Sequence, residues 1–256
     1  MSSQDATELP PSNCPSLHLT HPTPSECVQI WTLTYHAWGD ALTLPQYLQE
    51  SQYLTTVPLA RNSGMATWIL VDSALPPDKR PILSSCETFH KRSFITTSDG
   101  EVRDVITHGV ASVYCNEKYR RRGYAGRMMG DLKEVLRNWQ AERGTVVGSL
   151  LYSDIGKKFY AALGWHPFPN NSHMEFKSSR FSKRPEVRPL FSEDLEQLCK
   201  EDEALMRKCL AQNSDGKIRV MIVPNIDHMQ VRLAGFLDPA TQKCLPLIYT
   251  FSMLPT

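Results

Sequence analysis

The sequence of 256 residues lacks any long apolar run, because no stretch approaches the roughly 20 apolar residues that a membrane-crossing helix needs. An excess of one charge is also missing, since 28 Lys and Arg balance 27 Asp and Glu. Such a balance does not favour a nucleic-acid partner. Residues 1–6 have neither the basic nor the apolar region of a signal peptide. We therefore expect a cytoplasmic protein with neither a nucleic-acid nor a membrane partner.

Closely spaced cysteine pairs are absent as well. The seven cysteines are scattered without a C-x-x-C motif, at positions 14, 27, 86, 115, 199, 209 and 244. An odd, dispersed set is typical of reduced thiols and argues against a disulfide framework or a zinc site. No metal is expected.

Two common phosphate-binding motifs are missing, yet a third pattern is present. The glycines at 123, 126 and 130 do not fit G-x-G-x-x-G, and no Lys-Ser or Lys-Thr pair follows them as in the Walker motif. A strand-like run at 110–115 instead leads into the basic turn Arg120-Arg121-Arg122-Gly123-Tyr124-Ala125-Gly126, after which a helical pattern begins. Glycine lets an anion approach the backbone, and the N–H groups of a helix start point at it. The turn therefore predicts a site for a phosphate-bearing cofactor.

Two segments carry a resemblance to one family. Arg120-x-x-Gly123-x-Ala125 resembles the Arg/Gln-x-x-Gly-x-Gly/Ala signature of the GNAT acetyltransferase superfamily, whose turn binds the pyrophosphate of acetyl-coenzyme A. Residues 151–165 resemble a second family segment, in which a helix carries Phe-Tyr and ends in Leu-Gly-aromatic. An arginine-rich helix start and an amphipathic helix with an aromatic stripe are the alternatives for each segment alone. Both segments occur in the family order with one strand between them.

The resemblance implies an α/β protein with the GNAT acyl-coenzyme A N-acyltransferase fold, a central mixed, splayed sheet flanked by helices, over residues 16–180. The apolar patterns independently predict an α/β alternation with at least one parallel strand pair. The predicted strands are 17–19, 67–72, 82–96, 102–115, 145–151 and 219–223, and the predicted helices are 24–38, 44–50, 123–143, 155–163 and 193–210. Residues 1–15 are polar and are expected to form a flexible leader.

A closer resemblance is to the fungal lysine Nε-acetyltransferases, which acetylate the side-chain amine of free lysine. Residues 112–125 and 151–156 carry it. In these relatives a second α/β domain follows, and residues 190–230 resemble its start, after a linker predicted at 181–190. Because the resemblance stops after Gln230, residues 191–256 are expected to be a partial, truncated C-terminal domain with a divergent tail from about 231. A gene-model error at Val231 is one hypothesis for this tail.

The family resemblance also assigns roles at the site. The backbone from Arg121 to Gly126 would bind the pyrophosphate, and backbone groups of Val113 and Cys115 would hold the pantetheine arm and the thioester. The predicted cofactor-binding residues are Val113, Cys115, Arg120, Arg121, Arg122, Gly123, Tyr124, Ala125 and Gly126. Tyr160 would protonate the departing thiolate, because a phenol has a reference pKa of about 10. The Cys115 thiol is expected to be a small buried group and not a nucleophile.

The general base and the acceptor stay open. His108 is predicted as the catalytic base because it lies on the strand that enters the site and has a suitable reference pKa. A structural histidine fits the pattern equally, and Glu87, His90, Asp104 or a water chain are alternatives, whereas His228 carries no specific signal. The function is expected to be N-acetylation of a small-molecule amine, free lysine first. Another metabolite amine, a protein lysine or a non-catalytic coenzyme-binding remnant are the alternatives.

Overall fold

The computed structural model describes residues 9–97, 100–168, 191–212 and 216–229. These residues form a six-stranded sheet in the order β1-β2-β3-β4-β5, with β6 on the far half of β3. The strands are β1 (Leu17–Thr20), β2 (Met65–Asp72), β3 (Ser84–Thr96), β4 (Val102–Cys115), β5 (Val146–Leu151) and β6 (Arg219–Ile222). The helices are α1 (Pro24–Trp38), α2 (Leu44–Leu54), α3 (Tyr124–Leu136), α4 (Lys157–Ala162) and α5 (Ser192–Ala211). The predicted mixed sheet flanked by helices is confirmed.

One pair of strands is parallel, as the alternation predicts. β4 pairs with β5 from Ile106 opposite Val146 to Val110 opposite Leu151, while the other paired strands are antiparallel. The long α3 makes the crossover that a parallel pair requires. Beyond Val110, residues 111–115 of β4 continue past the last paired residue of β5.

β4 carries a β-bulge where it passes the middle of β3. Ser85 pairs with Tyr114, but Glu87 pairs with Ala111, so β4 has one residue more than β3 over this stretch. Ser112 takes up the difference with a left-handed φ of 53°. A bulge bends its strand and re-aims the next side chains. Val110 accordingly packs in the core under α3, whereas the Ser112 hydroxyl donates to a carboxylate oxygen of Glu87 on the opposite face.

α3 covers one face of the sheet. Its buried side chains are Met128, Met129, Leu132 and Leu136, which pack against Trp68, Leu70, Leu83, Cys86 and Val110. The sequence predicts a helix to residue 143, but α3 ends at Leu136. Tertiary contacts explain the early end: the Trp139 carbonyl accepts a bond from His108, and Gln140 adopts a φ of 61° while its amide donates to the Ser63 carbonyl. Gly144 follows a short 3-10 turn instead of ending the helix.

The opposite face is covered by α1 and α2. Ile30 and Trp31 of α1 pack against Ile69, Val71 and Ile82 of the sheet. α1 has the bounds predicted for it, while α2 extends four residues beyond its predicted end. α4 is shorter than predicted, at 157–162.

The segment before β1 is fixed to the first turn of α3. The Tyr124 hydroxyl donates to the Pro10 carbonyl at 2.6 Å, and the Arg127 guanidinium donates to the carbonyls of Ser12, Cys14 and Leu17. Of the flexible leader predicted at 1–15, residues 1–8 lie outside the described residues, while these contacts hold residues 10, 12 and 14. The polar composition of that stretch describes its side chains, so it does not indicate that its backbone carbonyl groups accept hydrogen bonds from Arg127.

α5 and β6 extend the sheet at its other end. β6 pairs with Ser93–Thr96 of β3, and Met206 and Leu210 of α5 pack on Phe94. Arg92 binds Glu203 of α5 through two hydrogen bonds of 2.7 and 2.9 Å. The predicted linker at 181–190 and the tail from 231 lie outside the described residues. In the part of the chain that the structure describes, no helix is long and apolar enough to span a membrane.

A buried ion pair joins α1 to the loop before β3. Glu26 is 0% exposed and Arg80 is 8% exposed, and two hydrogen bonds of 2.7 and 3.1 Å join them. Glu26 also accepts from the backbone N–H groups of Thr23 and Asp78. The Arg80 hydrogen bond, helped by these N–H groups, overcomes the effect of burial and lowers the pKa of Glu26 from 4.5 to about 2.

We expect Glu26→Gln to lower the free energy of unfolding by about 3–5 kcal/mol, because the Arg80 charge stays buried without its partner. In the wild type, the stabilisation by the ionised Glu26 carboxylate is complete above pH 4.5 and is lost as the pH falls towards 2. The reason is that the pKa of Glu26 is lower in the folded state than in the unfolded state. Urea unfolding at several pH values measures both effects. The exposed Glu134→Gln on α3 is the control, and an equal loss in both variants would contradict the assignment.

Candidate active site

The basic turn has the backbone of an anion site. Gly123 precedes α3 with a left-handed φ of 85°, and Arg121 also has a positive φ, of 65°. The first bond of the helix runs from the Arg127 N–H to the Gly123 carbonyl, at 2.9 Å. The N–H groups before Arg127 therefore have no intrahelical acceptor and carry the positive end of the helix dipole.

The three arginines of the turn differ in their surroundings. Arg120 is drawn back onto β4, where its Nε donates to the Cys115 carbonyl at 3.2 Å and its guanidinium pairs with Glu117. Arg121 and Arg122 are exposed. The side chains of Arg121 and Arg122 are therefore available beside the turn, while the side chain of Arg120 connects the turn to β4.

Tyr124, Ala125 and Gly126 complete the turn, and the Tyr124 side chain has a structural role. The Tyr124 side chain is 1% exposed and its hydroxyl binds the Pro10 carbonyl, so only its backbone faces the turn. Ala125 and Gly126 are half-buried, and a Cβ added to Gly126 would meet no atom within 4 Å. Space therefore remains in front of the first turn of α3.

The end of β4 lies beside this turn. Since the pairing with β5 stops at Val110, the backbone of Val113 and Cys115 lies beyond the paired part of the two strands. The Cys115 thiol donates to the Leu83 carbonyl at 3.4 Å, and burial raises the pKa of this thiol. A protonated, hydrogen-bonded thiol is the environment expected of a group that is not a nucleophile.

Tyr160 projects from α4 into the core under α3 and is 8% exposed. Burial is the main cause that raises the pKa of its phenol, so the hydroxyl keeps its proton near neutral pH. Tyr160 also borders a cavity of about 980 Å³ between β5, α4 and the end of α3. The phenol can therefore act as a proton donor to a ligand that enters from this side.

His108 lies on the same face of the sheet as α3 and is 0% exposed. Its Nε2 is 3.0 Å from the Trp139 carbonyl, so Nε2 carries the hydrogen, and no partner is found for Nδ1. Burial lowers the pKa of His108. The histidine borders neither of the two cavities described here. The position is that of a buried core histidine away from both cavities, and a role as base stays a prediction.

A second cavity, of about 210 Å³, lies on the opposite face between α1, α2 and the sheet. Its lining includes Glu87, Ser112, Glu50, Tyr47 and Trp31. Burial raises the pKa of Glu87, while the hydrogen bond from Ser112, 2.7 Å long, acts in the opposite direction. Burial also raises the pKa of Glu50. The cavity thus combines an aromatic wall with two carboxyl groups that hold protons more readily than usual.

The other candidates for the base lie elsewhere. Asp104 is held in ion pairs with Arg92 and Arg207 at the α5 end of the sheet, and these partners lower its pKa despite burial. His90 lies next to His108, with ring centroids 6.4 Å apart. His228 accepts a hydrogen bond from Lys91. Among the alternative candidates for the base that the sequence suggested, Glu87 is therefore the one that borders a cavity.

Sequence reasoning missed Ser112 and Glu50. Ser112 is one residue of a continuous strand pattern, and only the pairing register reveals the bulge that turns it towards Glu87. Glu50 is one of several polar residues at the end of a predicted helix. Among the described residues, no group of three or more potential metal ligands is found.

The mixed sheet, with a glycine turn and a helix start after the end of β4, has the arrangement of the GNAT fold. A family model described as "LYC1 GNAT-like C-terminal domain" matches residues 171–234. The chain is therefore similar to this GNAT-like family over those residues.

Two curated proteins are similar in sequence. An uncharacterized protein of Saccharomyces cerevisiae is 25% identical over 173 residues, and the lysine acetyltransferase of Yarrowia lipolytica is 22% identical over 158 residues. The matches take 58% and 56% of this chain but only 43% and 38% of those proteins. The chain therefore corresponds to less than half of either relative.

Among solved structures, a predicted acetyltransferase from Clostridium acetobutylicum with acetyl-CoA is 12% identical, with a TM-score of 0.43. That match covers 62% of this chain and 96% of the other. An acetyltransferase from Trypanosoma brucei is 16% identical with a TM-score of 0.42, over 62% and 99% of the two chains.

We expect Gly123→Ala to lower the free energy of unfolding by about 1–3 kcal/mol, because alanine is strained at a φ of +85°. Its Cβ would also lie 2.6 Å from the Ser12 hydroxyl. Adding Ser12→Gly should recover the steric part of the loss but not the backbone part. Chemical unfolding measures each variant. Gly126→Ala, which has open space, is the matched control, and a loss there as large as at Gly123 would contradict this account.

Proposed function

We propose that the chain is an N-acetyltransferase that transfers the acetyl group of acetyl-coenzyme A to a primary amine, with the side-chain amine of free lysine as the acceptor. One observation carries the proposal. The glycine turn and the helix start follow the part of β4 that extends beyond its pairing with β5, with Tyr160 on one face of the sheet and Glu87 on the other.

The residues of the turn fit a pyrophosphate. The left-handed Gly123 carries no side chain on the approach to the helix start, and the N–H groups of Tyr124, Ala125 and Gly126 have no intrahelical acceptor. The exposed Arg121 and Arg122 add positive charge. We propose that these groups bind the coenzyme, with the free backbone of Val113 and Cys115 beside its pantetheine arm.

The chemistry needs a neutral amine and a proton for the leaving sulfur. The acceptor nitrogen attacks the thioester carbonyl carbon, so a C–N bond forms as the C–S bond breaks. We assign the base to Glu87, which takes one proton from the nitrogen, and the acid to Tyr160, which gives one to the sulfur. Starting from an ammonium ion, the whole reaction releases one proton to solvent.

Glu87 suits the role of base better than His108. Its carboxylate borders the 210 Å³ cavity, and burial raises its pKa towards that of the group it must deprotonate. Ser112 keeps one carboxylate oxygen in a fixed position. His108 does not border this cavity, although its Nδ1 has no partner.

The choice of free lysine has separate support. Residues 112–125 and 151–156 resemble fungal lysine Nε-acetyltransferases, and the similar protein of Yarrowia lipolytica is named a lysine acetyltransferase. Residues 191–229 belong to the stretch matched by the C-terminal family model, and β6 within this stretch pairs with β3. We propose that they belong to a C-terminal domain that borders the acceptor side.

The test is thiol release from acetyl-coenzyme A with free lysine, polyamines and a lysine peptide as acceptors, comparing wild type with Tyr160→Phe. We expect turnover with lysine, and a loss of about 100-fold or more in Tyr160→Phe with nearly unchanged coenzyme affinity, because only the proton donor is removed. Calorimetry with coenzyme A measures the affinity.

The other outcomes are equally decisive. Normal coenzyme binding without thiol release for any amine identifies a non-catalytic remnant. Turnover with a peptide or a polyamine alone changes the acceptor. Unchanged turnover in Tyr160→Phe refutes the acid assignment.

Glu87→Gln should lower turnover by about 100-fold or more and remove the acidic limb of the pH profile. In the wild type, activity rises with pH as Glu87 loses its proton. Ser112→Ala should move this limb to higher pH, because the lost hydrogen bond is one that lowers the pKa of Glu87. The profile of log kcat/KM against pH is the measurement. Asp104→Asn is the control, and a limb that persists in Glu87→Gln would exclude Glu87.

A further inference from the structure

One face of α2 is turned towards the sheet and carries a charged residue. The side chains on this face, spaced three or four residues apart, are Tyr47, Glu50, Ser51 and Leu54. All four line the 210 Å³ cavity between α1, α2 and the sheet. The face that a surface helix turns to the core is normally apolar. Glu50 therefore stands where the helical pattern calls for an apolar side chain.

The Glu50 carboxyl group has no partner of its own. In the part of the chain that the structure describes, it makes neither a hydrogen bond nor an ion pair. The residue is half-buried, so its carboxylate is partly withdrawn from water without a compensating charge, and this arrangement costs folding free energy. A residue that breaks the local folding pattern at such a cost is typical of a functional site.

Glu50 shares its cavity with Glu87. The two residues reach the cavity from different elements, α2 and β3. Burial raises the pKa of the Tyr47 phenol, and the charges of Glu87 and Glu50 raise it further, so both carboxyl groups lie near this phenol. Ser112 donates a hydrogen bond to Glu87, whereas Glu50 receives none from the described residues. One of the two acidic groups is therefore held by the protein, and the other is available to a ligand.

The cavity is suited to a narrow cation. None of the described residues that line it is Lys, Arg or His, and its aromatic side chains are Trp31, Trp38, Tyr47 and Phe89. Aromatic rings attract ammonium groups through their electron-rich faces. Pockets for drug-sized ligands measure about 300–1,000 Å³, so a cavity of about 210 Å³ suits a slender chain that ends in an amine.

We propose that Glu50 is a specificity residue that binds a second ammonium group of the acceptor, while the amine to be acetylated lies at Glu87. The proposal rests on the proposed amine acetylation and narrows the acceptor to molecules with two amines. In free lysine the second ammonium group is the one on Cα. The described lining offers no cation to the lysine carboxylate, so the carboxylate should contribute little to the affinity.

The experiment compares free lysine with 6-aminohexanoate, which keeps the chain, the terminal amine and the carboxylate but lacks the α-ammonium group. We expect the wild type to have a KM for lysine roughly 10- to 100-fold lower, as for the gain of one charge-assisted pair. Glu50→Gln should remove this difference by raising the KM for lysine, while kcat and the KM for 6-aminohexanoate change less than about threefold. The exposed Glu134→Gln is the matched control with no expected change.

Two further measurements separate this role from others. 1,5-Diaminopentane has two amines and no carboxylate, so its KM should respond to Glu50→Gln as the KM for lysine does. Because Glu50 has no partner among the described residues, Glu50→Gln should leave the free energy of unfolding unchanged or raise it. Chemical unfolding without acceptor measures this effect, and a clear loss of stability would indicate a structural role and overturn the proposal.

Two kinetic outcomes would also overturn it. One is an equal rise in KM for lysine and 6-aminohexanoate, and the other is no change for lysine in Glu50→Gln. If the wild type acetylates neither lysine nor 1,5-diaminopentane, the proposed function fails, and calorimetry of 1,5-diaminopentane binding decides the inference alone. Binding that Glu50→Gln weakens and Glu134→Gln does not would support it, and absence of binding to the wild type would overturn it.

Discussion

One extra residue in β4 determines the arrangement of the candidate site. The bulge at Ser112 places Val113 and Cys115 on the α3 side and turns Ser112 towards Glu87 on the other side. A non-glycine residue at a φ of 53° is strained, and the flanking pairs of β3 and β4 hold it there. The pairing of β4 with β5 ends next to this point, because Val110 lies opposite Leu151, the last residue of β5.

The sheet separates the two groups to which we assign the proton transfers. Tyr160 belongs to the core under α3 and borders one cavity, whereas Glu87 borders the cavity on the α1 and α2 face. Burial raises the pKa of both groups. Under the proposed function, each group would therefore meet a different reactant.

Local sequence signals predicted much of the fold and part of the site. The start of α1 follows from Pro24, and the glycine turn follows from its composition, because both depend on neighbouring residues. Contacts between residues far apart in the sequence decide three other features. These are the end of α3 (Gln140 with Ser63), the position of His108 (with Trp139) and the position of the N-terminal segment (with Arg127). The bulge needs the register of two strands, which no single strand pattern contains. For the same reason the sequence offered Glu87 as a weak candidate and gave no sign of its partner Ser112.

The N-terminal segment is tied to the part of α3 where a phosphate group would bind. Tyr124 and Arg127, both in the first turn, hold the carbonyls of Pro10, Ser12, Cys14 and Leu17. Any ligand that orders this turn also orders the segment, because they share the same hydrogen bonds. Amide hydrogen exchange over residues 10–17 would then slow when the turn is occupied, although no residue there needs to touch the ligand. The beginning of the described chain can thus report on the state of a site formed more than a hundred residues later.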